Sequence, residues 1–411
     1  MVNDSMDTLP VLHFSLILLL FGLCLGSLWF YGYAIYAAID YWTHADPEVN
    51  VEFHPRLTIL KPLCSMNAQT DAALRSFCQQ DYPHYQIVFA VEDATDPGVE
   101  MVRKLIKQFP DREIDLVVNP RAIGLNRRVN LLANAASVAK YGLWVIADSD
   151  ITVGPNYLQQ IVQPFRYPGI GVVTCPYRSQ PQGWLARLQA LGTVAEFHSG
   201  VLVARRMQGV QFALSSTIAI RKDVLFGSGS FEAIANAVAD DYQLGHLAAK
   251  AGFRVMLSHY VVDRELTSSS FWSTLQHQNS WIRSLWNSQS WGYWSKIMTY
   301  GILASGLLLW LLQGSGLGWM IFAAIWIARM SMGCLTGIVC LKDEIMRRNW
   351  ALLPLYDLLS FSLWIIDLTR RLLTGRRQAF QLPPHEHGQQ PDQQIHSYEL
   401  SCLEEPALEE I

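Results

Sequence analysis

Charge is scarce in this sequence. Of 411 residues only 16% are Asp, Glu, Lys or Arg, against about 25% in an ordinary soluble domain, while 51% are hydrophobic and 14 are tryptophan. The deficit excludes a chain that is water-soluble throughout and points to membrane segments joined to a soluble region. A basic excess is missing as well. Net charge is −4, so no global positive field draws nucleic acid. The seven cysteines, Cys24, Cys64, Cys78, Cys175, Cys334, Cys340 and Cys402, are scattered, odd in number and without a CxxC pair. That excludes a disulfide framework or a zinc site and places the soluble part in a reducing, cytosolic compartment. Neither GxGxxG nor GxxxxGK[ST] occurs, so the dinucleotide and Walker phosphate loops are both absent.

What the sequence does have is long apolar runs. Residues 11–38 carry no charged side chain and are long enough to cross a bilayer. Tyr31, Tyr33 and Tyr36 lie toward the end of this run, where amphipathic aromatics favour an interface. Asp4 and Asp7 precede it and Arg56 and Lys61 follow, which puts residues beyond 40 in the cytosol. Apolar runs at 297–312 and 319–341 flank a Gly-Ser-Gly turn and predict a helical hairpin, followed by Lys342, Arg347 and Arg348. The last run, 351–368, contains Pro354, Asp357 and Asp367 and has basic residues on both sides. It is expected to be re-entrant or interfacial, with a fourth span as the alternative. The organisation is then a short N-terminal segment (1–10), an anchor (11–40), a large domain with an interfacial region (41–295), a transmembrane hairpin (296–341), a basic loop with one further helix (342–380), and a disordered tail (381–411) without apolar periodicity.

Between 57 and 262 short β-branched runs at 58–63, 85–93, 114–120, 143–150 and 170–177 alternate with helical stretches at 71–80, 97–109 and 127–139. This alternation predicts an α/β domain with a mostly parallel sheet. Ligands of such sheets bind beyond the carboxyl ends of the strands. Two of those ends are acidic: Glu92-Asp93 and Asp148-Ser149-Asp150. Carboxylates one residue apart repel, so something positive belongs beside them. Either the D-x-D shares a hard divalent cation, Mg²⁺ or Mn²⁺, that bridges to a diphosphate, or it is an Asx-type turn leading into Gly154-Pro155.

Further motifs follow in order. VADDYQLG (238–245) contains the paired acids Asp240 and Asp241, and HQNSWIRS (277–284) precedes the hydrophobic block. An acid, a D-x-D, a paired acid and a tryptophan motif in this order resemble the nucleotide-sugar glycosyltransferases of family 2 and especially family 21, the ceramide glucosyltransferase type. ILKPLC (59–64), FCQQDYP (77–83), GLNRRV (124–129), IADSDI (146–151) and ADDYQLG (239–245) are similar to that family. TCPYR (174–178), LSHYVVD (257–263) and LLPLYDLLSFSLWI (352–365) resemble its bacterial members that act on hopanoid lipids.

The resemblance covers almost the whole chain. It implies an α/β GT-A domain, the nucleotide-diphospho-sugar transferase fold, with N- and C-terminal transmembrane helices. It also implies a UDP-sugar donor, a membrane lipid acceptor at the bilayer, and Mg²⁺ or Mn²⁺. Asp93 would contact the uracil, Asp148 would lie by the ribose and diphosphate, and Asp150 would coordinate the metal. Asp241 would be the general base on the lipid hydroxyl, with Asp240 in the acid position before it, and the sugar would invert. Arg127 and Arg128 would touch the diphosphate or simply begin a solvated helix. Trp281 is a site candidate or an interfacial tryptophan. In one place the sequence departs from the family: Ser280 stands where the family has an arginine facing the diphosphate, removing a charge-assisted contact. Arg283 falls on a different helix face. A polysaccharide synthase and a catalytically inactive membrane relative are the competing readings.

Overall fold

The computed structural model describes residues 4–44, 49–50, 52–64, 70–267 and 296–374. Trp281, Ser280 and the tail expected at 381–411 lie outside these residues. The chain divides into two compact units. One comprises His44–Ala186, Met207–Ser273 and Gln389–Ile411; the other comprises Met1–Thr43, Arg187–Arg206 and Thr274–Gly388.

The first unit is α/β. Its strands are β1 (Leu57–Pro62), β2 (Tyr85–Val91), β3 (Glu113–Val118), β4 (Leu143–Ala147), β5 (Ile151–Thr152), β6 (Ile170–Thr174), β7 (Tyr177–Gln182), β8 (Thr217–Arg221), β9 (Arg254–Leu257) and β10 (Val262–Thr267). The main sheet has the order β3-β2-β1-β4-β8-β6-β9. Strands β1, β2 and β4 are buried along their whole length, so they read as mostly apolar runs and not as alternation, as strands covered on both faces do. Helices Thr70–Cys78, Pro97–Gln108 and Arg127–Ala136 supply the crossovers that parallel neighbours require. The second of these begins at Asp96, whose side chain accepts from the Gly98 amide at 2.7 Å, with Pro97 at a position that needs no N–H. It buries Val99, Val102 and Leu105, a spacing of three that makes one apolar face. Leu74, Phe77, Ile87, Phe89, Val145 and Ile161 join them in the core, each contributing about 1.5–3 kcal/mol through burial.

The main sheet is mixed. Strand β8 runs antiparallel to both β4 and β6, and this inverts one strand of the mostly parallel sheet expected. A second sheet, β5-β10-β7, carries polar side chains such as Arg178, Gln180, Asp263 and Glu265 and so has no apolar run to announce it.

The second unit is helical. Three stretches, Leu12–Thr43, Gly316–Cys340 and Glu344–Arg370, are long and apolar enough to cross a membrane, whereas the apolar helix Lys296–Leu311 is shorter. The expected runs 297–312 and 319–341 fall in the consecutive helices Lys296–Leu311 and Gly316–Cys340, and 351–368, expected as re-entrant or as a fourth span, falls in Glu344–Arg370. Pro354 does not break the last helix because it falls in the first turn of Leu353–Thr374, where a missing N–H is tolerated. Asp357 is no obstacle because Arg329 holds it by two hydrogen bonds, at 3.0 and 2.7 Å. Tyr31, expected at an interface, is buried instead. Its hydroxyl donates to the Thr299 carbonyl at 2.7 Å and accepts from the Gly301 amide at 3.1 Å.

Candidate active site

In the α/β unit Leu60 of β1 lies opposite Val88 of β2 and Ile146 of β4. These parallel strands therefore deliver Glu92-Asp93 and Asp148-Ser149-Asp150 to the same edge of the sheet. After β4 the chain turns, with the Ile151 amide donating to the Asp148 carbonyl at 3.3 Å. Asp148 and Asp150 are only 2% and 3% exposed. Two buried carboxylates so close are costly unless cations meet them, and three do. Arg128 Nε donates to Asp148 Oδ1 at 2.8 Å, and Arg264 Nε donates to Asp150 Oδ2 at 2.9 Å. Lys61 Nζ donates to the Asp148 carbonyl at 2.9 Å and lies 3.5 Å from the centre of the Phe77 ring. Burial pulls the Lys61 pKa down to about 7, against the opposing pull of Asp148 and Asp150. Burial raises that of Asp150 and Asp148 adds to it, with Arg264 working the other way.

Each carboxylate nevertheless keeps one buried oxygen, Asp148 Oδ2 and Asp150 Oδ1, with no hydrogen-bond partner among the described residues. Orphaned buried acceptors call for an explanation, and a hard divalent cation fits them. Among the described residues no cluster of three or more His, Cys, Asp or Glu forms a closed cage. Two carboxylate oxygens leave the remaining positions to water and phosphate, the way Mg²⁺ is usually held.

The GLNRR segment is fastened to the approach of the paired acids. Asn126 caps the helix Arg127–Ala136, accepting from the Val129 amide at 3.2 Å. Its own amide group donates to the Ala237 carbonyl at 2.8 Å, and its backbone N–H to the Ala235 carbonyl at 2.9 Å. Gly124 permits this approach: a Cβ there would come within 2.5 Å of Ala235. Arginine in the first turn of a helix opposes the macrodipole. Arg128 occupies that position because it is buried between Asp148 and Asp240, pairing with both. It is not part of a solvated helix start.

Asp240 and Asp241 open the helix Asp240–Lys250, the end where carboxylates are favoured. Asp240 is buried against Arg128, whereas Asp241 is half-buried and accepts from the Tyr242 amide at 2.7 Å. The Tyr242 ring stacks between Phe212 and His246, with centroids 6.1 and 5.9 Å away. Asp93 is exposed, and its Oδ1 accepts from the Thr95 amide at 2.8 Å and hydroxyl at 3.0 Å. These two bonds hold its pKa below the usual carboxylate range. Arg127 pairs with Glu92 at 2.7 Å.

The structure thus brings Asp148, Arg128 and Asp240 into one buried cluster with Asp150 at the same turn. It engages Asp93 and Arg127 at the neighbouring strand end. Lys61 and Arg264 were not expected. A lone charge within a mostly apolar strand, LTILKP, is a signal that could have found the first. Nothing local marks the second, which arrives only through strand pairing.

The family model for glycosyl transferase family 21 matches residues 22–387. The chain belongs to that family. Ceramide glucosyltransferase 1 of Caenorhabditis elegans is 23% identical over 286 residues, covering 69% of this chain and 59% of that protein. A ceramide glucosyltransferase of Komagataella phaffii is 33% identical over 110 residues, 26% of this chain and 22% of that protein. The chain therefore spans well under two thirds of the length of these curated relatives. Among solved structures, the mannosyltransferase PcManGT from Pyrobaculum calidifontis, in complex with GDP-Man and Mn²⁺, superposes with a TM-score of 0.53 at 18% identity, over 88% of this chain and 99% of that one. The fold is accordingly the GT-A glycosyltransferase fold, with the apolar helices of the second unit beside it in sequence.

Proposed function

We propose that this chain is an inverting glycosyltransferase that moves glucose or N-acetylglucosamine from a UDP-sugar to the hydroxyl of a membrane lipid such as ceramide or a hopanoid. Its apolar helices cross the membrane more than once, with the catalytic unit on the cytosolic face. The reading is carried by Asp148 and Asp150, two buried carboxylates at the strand edge, each with one oxygen on an arginine and the other without a hydrogen-bond partner among the described residues.

In this reading Asp150 would hold Mg²⁺ or Mn²⁺, with Asp148 by the ribose and diphosphate, and the ion would supply Lewis-acid stabilisation of the leaving group. Asp93, on the neighbouring strand end, takes the uracil. Asp241 accepts the proton of the lipid hydroxyl. The hydroxyl oxygen bonds to the anomeric carbon from the face opposite the diphosphate, the anomeric C–O bond breaks, and UDP leaves. A positioned base is worth about 10²–10⁴ in rate. Asp240 pairs with Arg128 and stands in the acid position before the base. The Mn²⁺ in the complex of PcManGT and the lipid-directed names of the curated relatives support the cofactor and the acceptor class.

The test is transfer of radiolabel from UDP-glucose and, separately, from UDP-N-acetylglucosamine into lipid extract, resolved by thin-layer chromatography. Label should enter a lipid with one donor and vanish with Asp241→Asn or with EDTA. Label in a water-soluble polymer would mean a polysaccharide synthase, and no label with any donor would mean an inactive relative.

A further inference from the structure

Strand β10 grips the D-x-D turn at two points. The Glu265 amide donates to the Asp150 carbonyl at 3.1 Å, and the Arg264 guanidinium takes Asp150 Oδ2. The register makes this possible: Arg264 lies opposite Ile151 across the antiparallel pair with β5, and opposite Ser179 across the parallel pair with β7. The guanidinium is seated 5.4 Å from the centre of the Tyr177 ring, and the adjacent acid of the strand, Asp263, is already bound by Arg178 and by Gln180. Arg264 is therefore held on Asp150 from three sides, and it fixes which oxygen of that carboxylate is consumed. Oδ2 is taken. Oδ1 is left buried with no hydrogen-bond partner among the described residues.

We infer that Arg264 is a positioning residue for the metal-binding carboxylate, holding Asp150 in the rotamer that presents Oδ1 to the cation. The inference rests on the function proposed above and adds to it a residue outside the family motifs. Groups that hydrogen-bond a ligating carboxylate set its orientation, and losing one costs about 10–100-fold in metal affinity. Arginine is suited to the task because its planar fork can rest on a ring and bond a carboxylate at once, whereas lysine offers a single mobile charge.

The experiment titrates the purified full chain in detergent with Mn²⁺ in the presence of UDP, following free Mn²⁺ by electron paramagnetic resonance. Wild type is compared with Arg264→Gln, Arg264→Lys and Asp150→Asn, each checked by its melting curve. Arg264→Gln should weaken Mn²⁺ about 10–100-fold, and Arg264→Lys should weaken it less but measurably, with the lysine variant the nearer to wild type in melting. If the glutamine variant does not fold, the lysine variant decides alone. A wild-type or tighter Mn²⁺ affinity in the folded Arg264 variants, with Asp150→Asn impaired, overturns the inference and leaves the proposed function standing. Unchanged affinity in Asp150→Asn as well places the metal elsewhere and overturns both.

Discussion

Arg128 and Asp240, 112 residues apart in sequence, form a buried ion pair, and the same guanidinium holds Asp148. One side chain thus ties the D-x-D turn after β4 to the first turn of the helix that carries Asp241. Removing it takes the arginine from two buried carboxylates and leaves Asp148 with Lys61 alone beside it. Breaking a buried pair typically costs about 3–5 kcal/mol, so Arg128→Gln should lower the melting temperature sharply, while Arg128→Lys recovers part of the loss. If Arg128 instead served only the diphosphate, both variants would melt as wild type and lose UDP affinity alone.

Asp240 and Asp241 are adjacent but should fail in different ways. Asp241→Asn is expected to lose turnover by about 10²–10⁴ with a smaller loss of stability, because Asp241 is half-buried and its printed hydrogen bond is to the Tyr242 amide. Asp240→Asn removes a charged partner of Arg128 and should show first as a drop in melting temperature. Melting curves and label transfer on the two variants, side by side, check the division. Equal instability in both would remove the argument for Asp241 as the base.

Much of this site can be read in the sequence because its acids stand where apolar strands stop. The runs ending at Ala147 and Val91 are buried parallel strands, so their boundaries are sharp and the acids beyond them stand out. Other features had no such contrast. Arg264 sits in the middle of three consecutive charged residues, Asp263-Arg264-Glu265, and reaches Asp150 through the pairing of β10 with β5, which no local pattern encodes. The inverted strand β8 is five residues long and follows the last strand run expected from sequence, 170–177. In the helical unit, Asp357 and Pro354 read as marks against a span, although a partner 28 residues away and a position in the first helical turn neutralise each of them.

His198 predicts an acid-sensitive fold. It ends the π-helical turn Thr193–His198, and its Nδ1 must carry the proton because it bonds the Thr193 carbonyl, an acceptor, at 2.9 Å. Burial lowers the pKa from 6.5 to about 4. The folded state therefore binds this proton less readily than the unfolded state. Its stabilising contribution is complete above pH 6.5 and is lost as pH falls toward 4, by about 3 kcal/mol in all. Melting temperature should fall through that window. His198→Asn, which keeps a donor near the Nδ1 position and does not titrate, should flatten the fall. An unchanged acid limb in the variant would assign the sensitivity to another group.

The buried pair Arg329–Asp357 supplies the last test. Both side chains are essentially unexposed, and two hydrogen bonds join them. Arg329 also donates to the Ala195 carbonyl at 3.3 Å, within the same π-helical turn as His198. Taking two charges out of water is expensive, and their attraction only roughly repays it; a lone survivor is far worse. Arg329→Met should therefore destabilise by about 3–5 kcal/mol, and Asp357→Leu by a similar amount. The double variant should recover most of the loss, since no unpaired charge remains. It should not recover all of it, because the Ala195 carbonyl still lacks its donor, a deficit of about 1–3 kcal/mol. Thermal melts of the four proteins form a double-mutant cycle. Additive losses, with the double variant as unstable as the two singles together, would show that the pair is not coupled and that each side chain is held by other contacts.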